Sequence, residues 1–214
     1  MCGRFSLVVT ETEIRHQFAI EQVAINLTRY NIAPSQDILA IRSAEAGRQA
    51  VLMRWGLIPS WVKNLDDWVS NLINARAETI RNKPSFKNAF KVRPCLIPAS
   101  GFYEWCDKQP YYFQPEEKLL ALAGIWSTWV NPQTSEEILS CTILTRAAHG
   151  VIASIHHRMP VIIKPDDYEL WLNDYEGRKQ LLQNLPETPL KTFPVHKTVN
   201  NPRHDSPDCI VPIS

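Results

Sequence analysis

Sixteen prolines, spread from Pro34 to Pro212, divide this chain of 214 residues into short pieces. Each removes a backbone donor and fixes φ, so none fits the interior of a long helix or a central strand. A helical bundle is excluded, and many short elements joined by defined turns are expected. Strand-like runs stand at Phe5–Val9, Ile38–Ile41, Ala50–Trp55, Asn71–Ala75, Cys95–Pro98, Gly101–Trp105, Tyr111–Gln114, Leu119–Trp126, Ile138–Thr145 and Val161–Ile163. Helical signals are fewer. Thr10-x-x-Glu13 is a capping-box pattern ahead of Ile14 and Phe18. Pro165-Asp166-Asp167 puts acids at a helix start before Trp171 and Leu172. Two more helices are expected over Ala147–Ser154 and Tyr175–Leu182. Strands outnumber helices without a regular β-α-β alternation. The expected class is therefore α+β, one domain over residues 2–214, with a curved, β-barrel-like mixed sheet flanked by a few helices.

Composition removes several function classes. The longest apolar run, Leu119 to Trp126, is far short of the ~20 residues of a membrane span. Arg4 interrupts the opening residues, which have no apolar signal region. Five cysteines without a C-x-x-C pair argue against a disulfide framework or a zinc ribbon, so no metal and no cofactor are expected. Cys95, Cys141 and Cys209 lie in apolar runs and read as buried thiols in a reducing cytoplasm. Net charge is only +1, so any nucleic-acid binding must be local. Arg76 to Arg93 qualifies, with Arg76, Arg81, Lys83, Lys87, Lys91 and Arg93 against the single acid Glu78. If Pro84 opens a helix there, the three lysines share one face and Phe86 and Phe90 anchor the other. A merely solvated helix face explains the lysines equally well.

Four polar islands interrupt apolar segments: Cys2-Gly3-Arg4, Asn74 to Thr79, Pro98 to Trp105, and His156 to Pro160. Cys2 follows Met1 directly. Removal of that methionine leaves a thiol and a free α-amine on neighbouring carbons, with ordinary pKa values of ~8.5 and ~7.7–8.0. Such a pair captures an aldehyde: the amine forms an imine, and the thiol then closes a five-membered thiazolidine. Glu104 stands among Phe102, Tyr103 and Trp105, where desolvation raises a carboxyl pKa toward neutrality and suits it to proton transfer. Singly, each residue has a duller role. Asn74 reads as a turn residue, Glu104 as a rim charge, and His156 as a hydrogen-bonded structural histidine.

Six ordered segments together carry more. Met1-Cys2-Gly3-Arg4-Phe5, Tyr30 to Pro34, Arg54 to Trp61, Ile73 to Thr79, Pro98 to Trp105 and His156 to Pro160 run almost end to end. In these the chain resembles the SRAP family (SOS-response-associated peptidase), whose members crosslink to abasic sites in single-stranded DNA. The resemblance implies an α+β domain with a barrel-like core, a DNA groove, abasic single-stranded DNA as partner, and a monomer that joins the nucleoid when DNA-bound. It assigns catalysis to Cys2, Asn74, Glu104 and His156, with His156 assisting sugar-ring opening, Glu104 relaying protons and Asn74 holding the amine in line.

Arg4, Arg76 and Arg158 stand beside these motifs as candidate phosphate contacts, and Trp61 as a candidate base-stacking aromatic. A DNA lyase side activity and removal of the residue ahead of Cys2 are further implications. One position departs from the family pattern: His157 stands where an acid is usual. A self-processing amidase or protease with Cys2 as N-terminal nucleophile and His156 as base is the competing expectation. A non-catalytic binder of single strands is another.

Overall fold

The computed structural model describes residues 2–23, 28–65, 68, 72–116 and 119–213. Five strands close into a barrel: β3 (Asp37–Ala44), β4 (Gly47–Trp55), β6 (Pro94–Ala99), β9 (Leu120–Val130) and β10 (Glu137–Ala147). β3 pairs antiparallel with β4 and β6, β6 with β9, and β9 with β10; a parallel pairing of β10 with β4 shuts the ring. Closure leaves no free edge among these strands, which removes the usual template for aggregation. Strand alternation puts Met53, Trp55, Cys95, Ile97, Cys141 and Ile143 on one face, all at most 1% exposed, while Leu52 on the opposite face is 46% exposed. The first set fills the barrel.

The filling is tight at one point. A Cβ on Gly124 would stand 2.7 Å from Cys95 Sγ and 2.9 Å from Ile97 Cδ1, so only glycine lets β9 pass there.

A second, antiparallel sheet has the order β12 (Leu190–Pro194), β8 (Gln109–Pro115), β7 (Gly101–Cys106), β1 (Phe5–Leu7) and β2 (Arg29–Ile32). Phe5, Phe102 and Phe113 are cross-strand partners, and the last two rings stack at 5.1 Å. Phe5 also meets the edge of Trp55 at 5.2 Å, joining this sheet to the barrel. An aromatic contact of this geometry adds about 0.5–1.5 kcal/mol beyond its buried area. The reverse face carries Tyr103 and Tyr112, which pack with Val195, Val199 and Cys209 from the C-terminal arm.

Helices cover what the sheets leave open. α1 (Glu11–Phe18) begins with the expected capping box: Thr10 Oγ1 accepts from Glu13 N–H at 3.3 Å, and Glu13 Oε2 accepts from Thr10 N–H at 2.8 Å. α2 (Pro84–Val92) buries Phe86, Ala89 and Phe90 and leaves Lys83, Lys87 and Lys91 exposed. α4 (Tyr168–Asn173), entered through a 3₁₀ turn at Pro165–Asp167, and α5 (Tyr175–Gln183) bury Trp171 and Arg178. Arg178 is satisfied by the carbonyls of Trp171, Phe90 and Leu172.

The α+β class and the barrel-like sheet agree with expectation, while several boundaries differ. α3 is a single turn, Gly150–Ala153, because β10 runs on through Ala147 and takes the residues a longer helix would need. The strand expected at Val161–Ile163 is β11 (Arg158–Pro160), whose partners are Thr145 to Ala147. β5 is Asn74–Arg76, and Asn71, the start of the expected run, lies outside the described residues. β2 and β12 were not expected.

Gly124→Ala should cost about 1–3 kcal/mol by overpacking, read as a lower urea midpoint. Adding Cys95→Ala should recover part of that loss. Strict additivity of the two losses would show that the space beside Gly124 is not filled by the cysteine.

Candidate active site

Strand β10 sets the positions of the site. Its residues Ile143 to Thr145 pair in parallel with Asn74 to Arg76 of β5, and Thr145 to Ala147 pair antiparallel with β11. Asn74 and the loop carrying His156 therefore flank one strand. That loop is short and fixed: His156 N–H donates to Ile152 O at 2.8 Å, and Ala148 N–H to His157 O at 3.0 Å. Glu104 comes from the other sheet. It lies two residues after Phe102 on the same face of β7, the face that meets the barrel through Phe5 and Trp55.

The four residues meet between the sheets. Asn74 Nδ2 donates to Cys2 O at 2.8 Å, and Glu104 Oε2 lies 3.5 Å from His156 Nδ1. The imidazole is anchored through that nitrogen, which also sits 3.1 Å from Arg158 N and 3.0 Å from Arg158 O.

Burial governs the charges. Glu104 is 2% exposed, and desolvation raises its carboxyl to about 7. Cys2 is fully buried; desolvation first, and the Glu104 charge second, push its thiol well above the ordinary range. Desolvation also holds His156 below its usual value, so the ring is neutral near pH 7. The His157 ring lies against it, tilted by 37° with centroids 4.4 Å apart, and repulsion between the two imidazoles lowers His156 further. At neutral pH the site thus holds a half-ionised carboxyl, a neutral imidazole and a protonated thiol.

The arginines divide. Arg158 is buried and forked onto Glu78, Nη1 to Oε1 at 2.7 Å and Nη2 to Oε2 at 2.9 Å, with Nη2 also donating to Thr145 O at 2.7 Å. Arg4 donates to Asn31 Oδ1 at 2.8 Å and Val199 O at 2.6 Å. Both guanidiniums are engaged by the protein. Arg76 is exposed at the end of β5. Trp61 is 57% exposed and packs edge-on against Trp68 at 5.5 Å, and Trp68 in turn packs on the patch of Ile58, Val62 and Trp129.

Two residues that hold the site were given no role from sequence. Glu78 lies inside a recognised motif, but its partner is 80 positions away. Asn31 joins Arg4 to the arm through Nδ2, which donates to Val199 O, Asn201 O and His204 O. Asn31 also lies inside a recognised segment, Tyr30 to Pro34, which was the available signal.

A family model described as SOS response associated peptidase (SRAP) matches residues 1–202. The chain is 36% identical to the abasic site processing protein YoqW of Bacillus subtilis, over 98% of this chain and 99% of that protein. It is equally 36% identical to the abasic site processing protein HMCES of Gallus gallus, over 75% of this chain and 56% of that protein. A crystal structure from Bordetella bronchiseptica superposes with a TM-score of 0.79 at 26% identity, covering 91% of this chain and 100% of that one. Another, from Bacteroides thetaiotaomicron, reaches 0.88 at 22% identity over both chains entire, a likeness of fold alone.

The raised Glu104 pKa sets a pH dependence for stability. The folded state prefers the protonated carboxyl, so this contribution is intact below the unfolded value near 4.5 and is lost as pH climbs through about 7. Urea midpoints should fall over that window in the natural chain and stay flatter in Glu104→Gln. Parallel curves for the two proteins would mean that Glu104 is not desolvated as described.

Proposed function

Because this chain belongs to the SOS response associated peptidase (SRAP) family, we propose that it processes abasic sites in single-stranded DNA by becoming covalently attached to them through Cys2. The observation that carries the proposal is the buried Glu104 carboxyl, 3.5 Å from His156 and close enough for its charge to act on the Cys2 thiol. The names of the relatives, each an abasic site processing protein, supply the substrate class.

The chemistry begins once Met1 is removed and the Cys2 amine is free. His156 assists opening of the sugar hemiacetal to its aldehyde. Glu104, poised near neutrality, takes a proton from the amine. The amine adds to the aldehyde carbon, water leaves, and an imine remains. The thiol then adds across the C=N bond: sulfur bonds to carbon, and the thiol proton ends on nitrogen. Asn74, already donating to the Cys2 carbonyl, keeps the terminus in line, and such positioning lowers a barrier by up to ~7–11 kcal/mol in favourable cases.

A thiol held protonated by burial suits this order, in which the amine reacts first. The imine also acidifies the neighbouring sugar proton, which gives a route to strand cleavage as a side reaction. Arg76 and Trp61, which face solvent, are assigned to the strand. Arg4 and Arg158 hold the walls beside the reacting carbon.

Incubation with abasic and intact single-stranded oligonucleotides, followed by intact mass analysis, tests the reading. The expected product is the protein without Met1 plus the abasic strand less one water, attached at Cys2 and absent with intact DNA. Attachment elsewhere, or an unmodified protein that instead hydrolyses peptide bonds, overturns it. Cys2→Ser should leave an imine trappable by borohydride, and a residue inserted ahead of Cys2 should abolish the crosslink. The crosslinking rate should rise with pH through about 7 as Glu104 ionises, and Glu104→Gln should remove that rise.

A further inference from the structure

Away from Cys2, another cluster of nucleophilic and titratable groups forms on the C-terminal arm. His204 N–H donates to Asn201 O at 3.0 Å, and a 3₁₀ turn at Pro207–Ile210, entered from Ser206, brings Asp208 and Cys209 back to the imidazole. His204 Nε2 lies 2.8 Å from Asp208 Oδ2 and 3.1 Å from Ser206 Oγ. Ligand atoms of His204, Asp208 and Cys209 all fall within 4.8 Å of one another. This is no hydrolytic relay. Ser206 and Asp208 meet the same ring nitrogen, whereas a relay needs the hydroxyl on one nitrogen and the carboxylate on the other.

The donors are one imidazole, one carboxylate and one thiol, brought together within the six residues His204 to Cys209. Magnesium and calcium prefer all-oxygen sets, while mixed nitrogen, oxygen and sulfur donors suit zinc and its borderline neighbours. With metal–ligand bonds of about 2.0–2.3 Å, tetrahedral ligands sit roughly 3.2–3.7 Å apart, so side-chain adjustments of about an ångström convert the observed spacing. We propose that His204, Asp208 and Cys209 form a three-ligand site for a divalent transition ion, with Zn²⁺ the best match and water as the fourth ligand. Binding replaces the Cys209 S–H bond with a sulfur–metal bond and releases that proton to solvent.

The surroundings give the site an anchor and an entrance. Cys209 is fully buried with Tyr103, Tyr112, Val195 and Val199, while the His204 and Asp208 side chains are 33% and 50% exposed. An ion there would stiffen a segment with a second attachment. Asp205 Oδ1 accepts from Asn31 N–H at 3.0 Å, His204 O accepts from Asn31 Nδ2 at 2.6 Å, and Asn31 Oδ1 in turn accepts from Arg4. The site therefore lies directly behind the seat of Arg4, two residues from Cys2.

Titration of the full chain with Co²⁺ tests the proposal. The expected spectrum has a thiolate-to-cobalt band in the near ultraviolet and the intense visible bands of tetrahedral cobalt, both displaced by Zn²⁺. Cys209→Ser should lose the near-ultraviolet band, and His204→Ala should weaken binding at least tenfold. Cys106→Ser should change neither, since that half-exposed thiol is outside the cluster. Zn²⁺ should also raise the melting temperature of the natural chain and not that of His204→Ala, a variant at a part-exposed position that keeps the test open if Cys209→Ser does not fold. Only the weak spectrum of six-coordinate cobalt, or a thiolate band that survives in Cys209→Ser, would overturn the site.

Discussion

Strand β10 is paired along its length, and the site depends on that pairing. Its first half is held by β9 and β4, which closes the barrel; its last residues are held by β5 and β11, which carry Asn74 and Arg158. A register slip of one residue along β10 would turn every one of those side chains to the opposite face. The barrel is therefore more than a support, because its closure fixes the register that places Asn74 beside the His156 loop. The Phe5–Trp55 contact then sets how closely the second sheet, and Glu104 with it, approaches.

Exclusion of water links this packing to the chemistry. Glu104 sits close to half-ionised near neutrality because its face of β7 is pressed against the barrel. Such burial is costly for a charge, and the site moderates that cost by holding the group near its switching point. The same enclosure keeps the thiol protonated and the imidazole neutral. A site in that condition carries little net charge. The cations beside it are engaged by the protein: Arg158 closes the His156 loop onto Glu78, and Arg4 ties its segment to the arm.

Much of this was legible in the chain, for identifiable reasons. The capping box at Thr10, the proline opening α2 and the strand-forming runs of β4 and β10 are local signals, and local signals survive folding. The burial of Glu104 was legible in the aromatics beside it, since such neighbours exclude water. β2 and β12 were missed because Arg29–Ile32 and Leu190–Pro194 carry charges, an asparagine and a proline, and take strand form from their neighbours. The ion pair of Glu78 with Arg158 and the bridge from Asn31 to the arm span 80 and 168 positions. Nothing in the neighbourhood of either residue encodes its partner.

The latch between Arg4 and the carbonyl of Val199 joins points 195 positions apart. During synthesis the first residues leave the ribosome long before their acceptor exists. The seat of Arg4, and the enclosure of Cys2 two residues before it, therefore wait for the residues around Val199. A terminus held from so far along the chain is among the last parts of the fold to be closed.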